Sequence, residues 1–198
     1  MIILSPTKQR VDELQILLKM LDKGLSLYHV RHYHFTVKQM SAYLDFIPDI
    51  FRDRIVLHSH FHLALDFGIQ RLHLPEKDRE QGTYDDYRDT FILSTSVHSM
   101  ARFNALEQFW DYAFLSPVFP SISKKGYGLK HTVLAEFSQR NNWDIGLVGL
   151  GGVDHQNCIQ VLQAGADDVA LLGGIWEKTS PLAAFDEFLS LSQLKNEK

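Results

Sequence analysis

Eight short runs of β-branched or other apolar residues recur along the 198-residue chain, each followed by a stretch with helical spacing. They fall at Ile2–Leu4, Leu25–Arg31, Ile55–His58, Arg71–Leu74, Phe91–Ser94, Tyr112–Leu115, Gly146–Leu150 and Asp168–Leu172. The runs are continuous rather than alternating, the pattern of strands buried on both faces of a parallel sheet. Alternating strands and helices admit a closed barrel or an open doubly wound sheet. Eight strands in so short a chain favour closure, because an open sheet of this length holds fewer strands and longer helices. The expected fold is α/β, a single (β/α)8 TIM barrel occupying residues 1–198 as one domain.

Between the runs, apolar residues at Val11, Leu14, Ile16 or Leu17, Leu18 and Leu21 predict a helix that stops at Gly24. Amphipathic helices are expected over His98–Trp110 and Thr132–Arg140, with a single turn around Tyr84–Asp89. Asp154 is placed to cap a helix ending at Gln163, and Ser180-Pro181 to open the last one.

Composition removes several classes of function. The formal net charge is −4 with no long basic tract, which argues against nucleic acid or an anionic membrane as partner. The opening Met1-Ile-Ile-Leu is too short an apolar run for a signal peptide or span, and lone Cys158 allows no internal disulfide. A cytoplasmic molecule is expected.

The last two strands end in glycine pairs, Gly151-Gly152 and Gly173-Gly174. In a barrel, the seventh and eighth strand-to-helix loops commonly hold a phosphate on backbone N–H groups, so the chain points to a phosphorylated small molecule. Other candidates sit beyond strand ends. Period two puts Leu27, His29 and Arg31 on one face of the second strand, and Arg31 suits a phosphate clamp as well as a surface ion pair. Carboxylates follow the fourth strand at Glu76 and Asp78, where an aspartate either ligates a cation or caps a turn. Hydroxyls follow the fifth strand at Ser94-Thr-Ser96. After the sixth strand, Ser121, Ser123 and Lys124 bring two hydroxyls and a compact positive charge within four residues, against the alternative of a flexible polar loop.

His58-Ser-His60-Phe-His62 has the His-x-His spacing of a metal site if the strand continues. Phe61–Phe67 reads instead as a short helix, which splays the three rings and favours a structural role.

Six segments in order resemble the thiamine phosphate synthase and TenI superfamily. They are His-Val-Arg (29–31), His-Leu-Pro-Glu-Lys-Asp (73–78), Ser-Val-His-Ser (96–99), Ser-Pro-Val-Phe-Pro-Ser-Ile-Ser-Lys (116–124), Gly-Leu-Gly-Gly-Val (149–153) and Gly-Ala-Asp-Asp-Val-Ala (165–170). Enzymes of the first branch join a hydroxymethylpyrimidine diphosphate to a thiazole phosphate and release diphosphate. The resemblance implies that chemistry, with small phosphorylated thiazole and pyrimidine substrates as partners. It implies a thiazole-phosphate cradle of Ser121, Ser123, Gly152, Leu172 and Gly173. Arg31, Lys124 and Ser96 fall on the diphosphate side, and Mg²⁺ on Asp78. Barrels of this kind often pair, which makes a homodimer compatible.

The chain departs from that pattern at His29 and Tyr33, where the family has glutamine and lysine, and at His58-Ser59, where it has an Asn-Asp pair whose aspartate holds magnesium. Losing a charge-assisted contact costs on the order of 1.5–3 kcal/mol. A protonated His58 would still favour phosphate, but Mg²⁺ prefers oxygen and gains little from imidazole. The second branch, the thiazole tautomerases, has an acid–base histidine where this chain has Pro117. A tautomerase would therefore need a relocated base such as His29, His58 or His73, and a non-catalytic thiazole-phosphate binder is the third reading. His58 pointing into the mouth beside Arg31 would favour catalysis on a phosphorylated ligand.

Overall fold

The computed structural model describes residues 1–121, 128 and 131–196, with side chains described as far as Leu191. Strands β1 (Ile2–Leu4), β2 (Leu27–Val30), β3 (Ile55–Leu57), β4 (Arg71–Leu74), β5 (Ile92–Val97), β6 (Trp110–Leu115), β7 (Gly146–Leu150) and β8 (Asp168–Leu171) pair in parallel and in chain order. The sheet closes where Ile2 and Ile3 pair with Ala170 and Leu171, giving the expected (β/α)8 barrel. The one break in register is between β5 and β6, where Leu93 faces Trp110 but Ser94 faces Tyr112, leaving Asp111 unpaired.

Two apolar compartments result from the period of two. Outward residues such as Tyr28, Val30, Ile55, Leu57, Leu72, Leu74, Ala113, Leu147 and Leu171 pack under the helices in the larger core. Inward residues Ile2, Leu4, Tyr112, Phe114, Val148 and Ala170 fill the lumen, joined at its margins by Leu27, Leu150 and Leu172. Fully burying one such aliphatic or aromatic side chain stabilises by about 1.5–3 kcal/mol. In three adjacent strands the inward position is histidine: His29, His58 directly after β3, and His73, each buried. Leu27 and His29 thus face the lumen, as the alternation predicted.

The outer layer is thinner than the sequence suggested. Helix α1 (Glu13–Asp22) ends before Gly24, whose φ of +97° is open to glycine at little cost. Helix α2 (Val37–Asp45), absent from the sequence reading, is closed at its start by a capping box between Thr36 and Gln39. Short α3 (Glu76–Glu80) follows β4. The helix expected over His98–Trp110 shrinks to α4 (Met100–Asn104), because Trp110 already pairs with Leu93 as the first residue of β6. Leu134–Gln139 is a 3₁₀ segment rather than an α-helix, and α5 (Cys158–Gln163) begins four residues after Asp154. The N-cap position is Asn157 and not Asp154, whose carboxylate instead accepts from Gln156 N at 2.9 Å in the turn before the helix. The four-residue α6 (Gly173–Trp176) follows β8, and Trp176 Nε1 donates to Leu4 O at 2.7 Å, tying it across the closure. Pro181 opens α7 (Pro181–Asn196). Among the described residues no helix is long and apolar enough to cross a membrane.

Candidate active site

At the C-terminal ends of the strands lies a cavity of about 770 Å³. Its wall includes Arg31, Tyr33, His58, Ser96, Ser121, Gly152, Leu172 and Gly173, drawn from loops that are far apart in the chain. A more open depression of about 510 Å³ at the other end is lined by Leu65, Gly68–Gln70 and Arg88–Ile92 and gathers no such set. Barrel enzymes work at the C-terminal face, which makes the first cavity the candidate site.

The sixth and seventh loops are bound to each other at the backbone. Val118 N donates to Leu150 O at 3.0 Å, and Phe119 N to Gly151 O at 2.9 Å. Gly152 sits at φ +67°, and a Cβ there would stand 2.3 Å from Pro120 O and 2.7 Å from Phe119 Cβ. Only glycine lets the loops approach so closely. The eighth loop abuts the seventh, where a Cβ on Gly174 would stand 2.4 Å from Val153 O. Among the described residues the amides of Gly152 and Gly173 have no hydrogen-bond acceptor. Ser121 lines the cavity beside them; Ser123 and Lys124 lie outside the described residues.

On the opposite wall, Arg31 follows β2 and its amide donates to Ser5 Oγ at 2.8 Å. Among the described residues no carboxylate pairs with its guanidinium, so the surface ion pair weighed in the sequence is not formed, and its charge faces the cavity. His58 faces the cavity beside Arg31, the orientation that favours catalysis on a phosphorylated ligand. His29 does not reach the cavity wall. It lies wholly buried beneath His58, so contact with substrate is corrected to contact with His58. The cause is strand length: β2 carries Arg31 up to the mouth and leaves His29 two residues lower.

These histidines form a hydrogen-bonded network. His58 Nδ1 lies 3.1 Å from the Tyr33 hydroxyl, His58 Nε2 lies 2.8 Å from His29 Nδ1, and His29 Nε2 lies 2.6 Å from the Tyr112 hydroxyl. His73 lies 2.9 Å from both Ser94 Oγ and Ser96 Oγ, and its ring stacks on His58 with centroids 4.2 Å apart. Burial holds His29 and His58 well below the ordinary imidazole range, with His73 and Arg31 adding to the effect at both rings and His29 adding to it at His58. Burial, then Arg31, brings His73 down to about 3. All three rings are neutral near pH 7. Sequence reasoning named them singly. The period of two puts each at an inward position, but the register that brings the three together is not written in any local pattern.

Asp78 lies on α3 and is not part of the cavity wall; Glu76, two residues earlier, is. The Glu76 carboxylate is engaged by Arg102 at 2.8 Å and Arg79 at 3.3 Å. His60 and His62 do not join His58. His60 leaves the strand at φ +57° and its ring centroid is 6.2 Å from that of His62, so the His-x-His metal site is not formed.

Residues 1–175 match the family described as thiamine monophosphate synthase. A thiamine-phosphate synthase of Bacillus velezensis is 24% identical over 194 residues, covering 94% of this chain and 87% of that protein. Among solved structures, a thiamine phosphate pyrophosphorylase from Bacteroides thetaiotaomicron superposes with a TM-score of 0.79 at 24% identity, covering 98% of each chain. One from Pyrococcus furiosus also reaches 0.79, at 16% identity and 97% and 95% coverage. At such identities the superpositions speak for the fold.

Proposed function

The chain belongs to the thiamine monophosphate synthase family, and on that premise we propose that it joins a hydroxymethylpyrimidine diphosphate to a thiazole phosphate in thiamine biosynthesis. The observation that carries this reading is the convergence of Ser121, Gly152 and Gly173 on one side of a single cavity, with the guanidinium of Arg31 on the other.

In this reading the Ser121 hydroxyl and the Gly152 and Gly173 amides hold the thiazole phosphate, joined by Ser123 from the undescribed part of the sixth loop. Arg31 draws the diphosphate to the opposite wall, with Lys124 assigned beside it by family resemblance. The methylene C–O bond of the pyrimidine substrate breaks, the diphosphate leaves with the electron pair, and the thiazole takes its place. Aligning two substrates in one cavity removes the entropy cost of their encounter, and fixed positive charge stabilises the departing anion. Ser96, hydrogen bonded to His73 at 2.9 Å, completes the wall near the leaving group.

Magnesium, which the resemblance implies, takes hard oxygen ligands. The described donor set does not supply them: Asp78 is off the wall, Glu76 is held by two arginines, and Ser59 hydrogen bonds to His60. No step above passes through the metal.

Diphosphate release measured with both substrates, with and without Mg²⁺, tests the reading. Turnover that requires both substrates supports it. Conversion of thiazole phosphate alone would move the chain to the tautomerase branch, and thermal stabilisation by thiazole phosphate without turnover would make it a binder.

A further inference from the structure

Polar residues in a barrel lumen carry a cost, because each displaces an apolar side chain and must find partners. Here three imidazoles from neighbouring strands meet at the cavity floor, His58 and His73 lining it and His29 beneath His58. One ring nitrogen from each lies within 4.8 Å of the other two. In a tetrahedral zinc site, bonds of about 2.0–2.1 Å put ligand nitrogens roughly 3.4 Å apart. The 2.8 Å separation of His29 Nδ1 and His58 Nε2 and the 4.8 Å bound lie on either side of that value. Ring tilts of about an ångström would converge the set.

We propose that His29, His58 and His73 form a site for a borderline divalent transition metal of the zinc class, on the floor of the cavity. The surroundings match what such a site needs. A ligating histidine is oriented by a hydrogen bond at its other nitrogen. Each ring has one: Tyr112 at His29 Nε2, Tyr33 at His58 Nδ1 and Ser94 at His73 Nδ1, at 2.6, 3.1 and 2.9 Å. With the metal on the inner nitrogens, the outer ones carry the protons and donate to those hydroxyls. Without it, the His29–His58 line shares one proton and His73 Nε2 uses Ser96. The exchange needs only a tautomer shift, not the loss of a proton from any ring, since all three are already neutral.

Ligand softness selects the ion. Three imidazoles suit zinc, nickel or cobalt and are poor for magnesium. Three protein nitrogens leave a fourth position, and because His58 and His73 line the cavity that position opens to whatever anion sits against Arg31. Arg31 opposes a dication, so an anionic oxygen of a phosphate or carboxylate is the class of ligand that would complete the shell. There the metal would act as a Lewis acid. The site stands on the geometry of the trio and not on the coupling reaction proposed above.

The test is metal binding by the intact protein, stripped with chelator and titrated with Zn²⁺ against a chromophoric competitor. One zinc per chain is expected. Co²⁺ in the unmodified protein should give the strong visible absorption of a four- or five-coordinate nitrogen site. His58→Ala should weaken zinc by more than the about 10–100-fold typical of losing a residue that merely orients a ligand. Tyr112→Phe should fall within that range, and the surface pair His60→Ala/His62→Ala should change nothing. Absence of stoichiometric zinc, weak octahedral cobalt absorption, or binding lost with His60 and His62 rather than His58 would overturn the proposal. The cobalt spectrum needs no variant, so a His58→Ala chain that fails to fold leaves the test intact. A negative result leaves the coupling reaction standing, because the titration uses no substrate.

Discussion

His29 Nδ1 and His58 Nε2 face each other at 2.8 Å inside the barrel, and only one proton fits between them. A second proton on either ring places charge in a buried, cation-facing lumen, and protonating both breaks that contact. The trio therefore weakens the fold in acid. An imidazole whose folded affinity for protons is depressed contributes stability that is present above its unfolded value of about 6.5. That stability is lost as pH falls, because the unfolded chain binds the extra protons.

The first prediction follows from that sign. In chelator, urea stability should be flat above pH 7 and drop below about 6.5, by about 1.4 kcal/mol per pH unit for each ring. For His73 the loss continues until the pH approaches 3, where the folded ring protonates. Denaturation at pH 7.5 and pH 5.0 measures it. A difference under about 1 kcal/mol would mean that the rings are already charged in the native state.

The second prediction concerns the seventh loop. Gly152→Ala puts a Cβ 2.3 Å from Pro120 O on a backbone at φ +67°. The left-handed conformation alone costs roughly 1–2 kcal/mol for a non-glycine residue, and the contact forces the sixth and seventh loops apart. KM for thiazole phosphate should rise at least about tenfold, with the far-UV spectrum unchanged. An unaltered KM would remove the seventh loop from the phosphate cradle.

How far such sites are legible in a sequence can be judged from particular residues. Ile2–Leu4, Arg71–Leu74 and Gly146–Leu150 are strands with the bounds their apolar runs imply, because burial on both faces leaves an unbroken signal. Helix α2 escaped because its buried face is only Met40, Tyr43 and Leu44, although Thr36 and Gln39 carried a readable capping box. The phosphate side of the cavity was legible because glycines at positive φ sit in it, at Gly151 and Gly152. The histidine trio was not. Residues 29, 58 and 73 meet only through the register Val56↔Arg71 and His29↔Val56, which no local pattern records.

A third prediction isolates Arg31. Without a carboxylate partner among the described residues, its guanidinium is available to an anion, and a charge-assisted bond of this kind contributes about 1.5–3 kcal/mol. Arg31→Ala should lower kcat/KM for the diphosphate substrate by roughly 10–150-fold. Arg31→Lys should restore part of it, since lysine keeps the charge but not the two-pronged geometry. Steady-state kinetics at fixed ionic strength decide it, and equal values for all three proteins would return Arg31 to a structural role.

The fourth prediction tests whether the cavity and the outer layer are separable. Glu13, in the first turn of α1, is buried, and its Oε1 accepts from the Tyr28 and Tyr43 hydroxyls at 2.9 and 2.7 Å and meets His32 Nε2 at 2.8 Å. Burial holds both tyrosines well above the ordinary phenol range, so they remain donors at any physiological pH. One carboxylate oxygen thus pins α1 and α2 to β2. Glu13→Ala leaves three buried groups without an acceptor and should cost about 3–5 kcal/mol. Glu13→Gln keeps a carbonyl acceptor while adding donors where none are wanted, and should lose less. Urea denaturation measures both, and turnover per folded molecule should match the unsubstituted protein because Glu13 does not line the cavity. A fall in kcat that exceeds the loss of folded protein would show instead that this outer network sets the position of Arg31 at the end of β2.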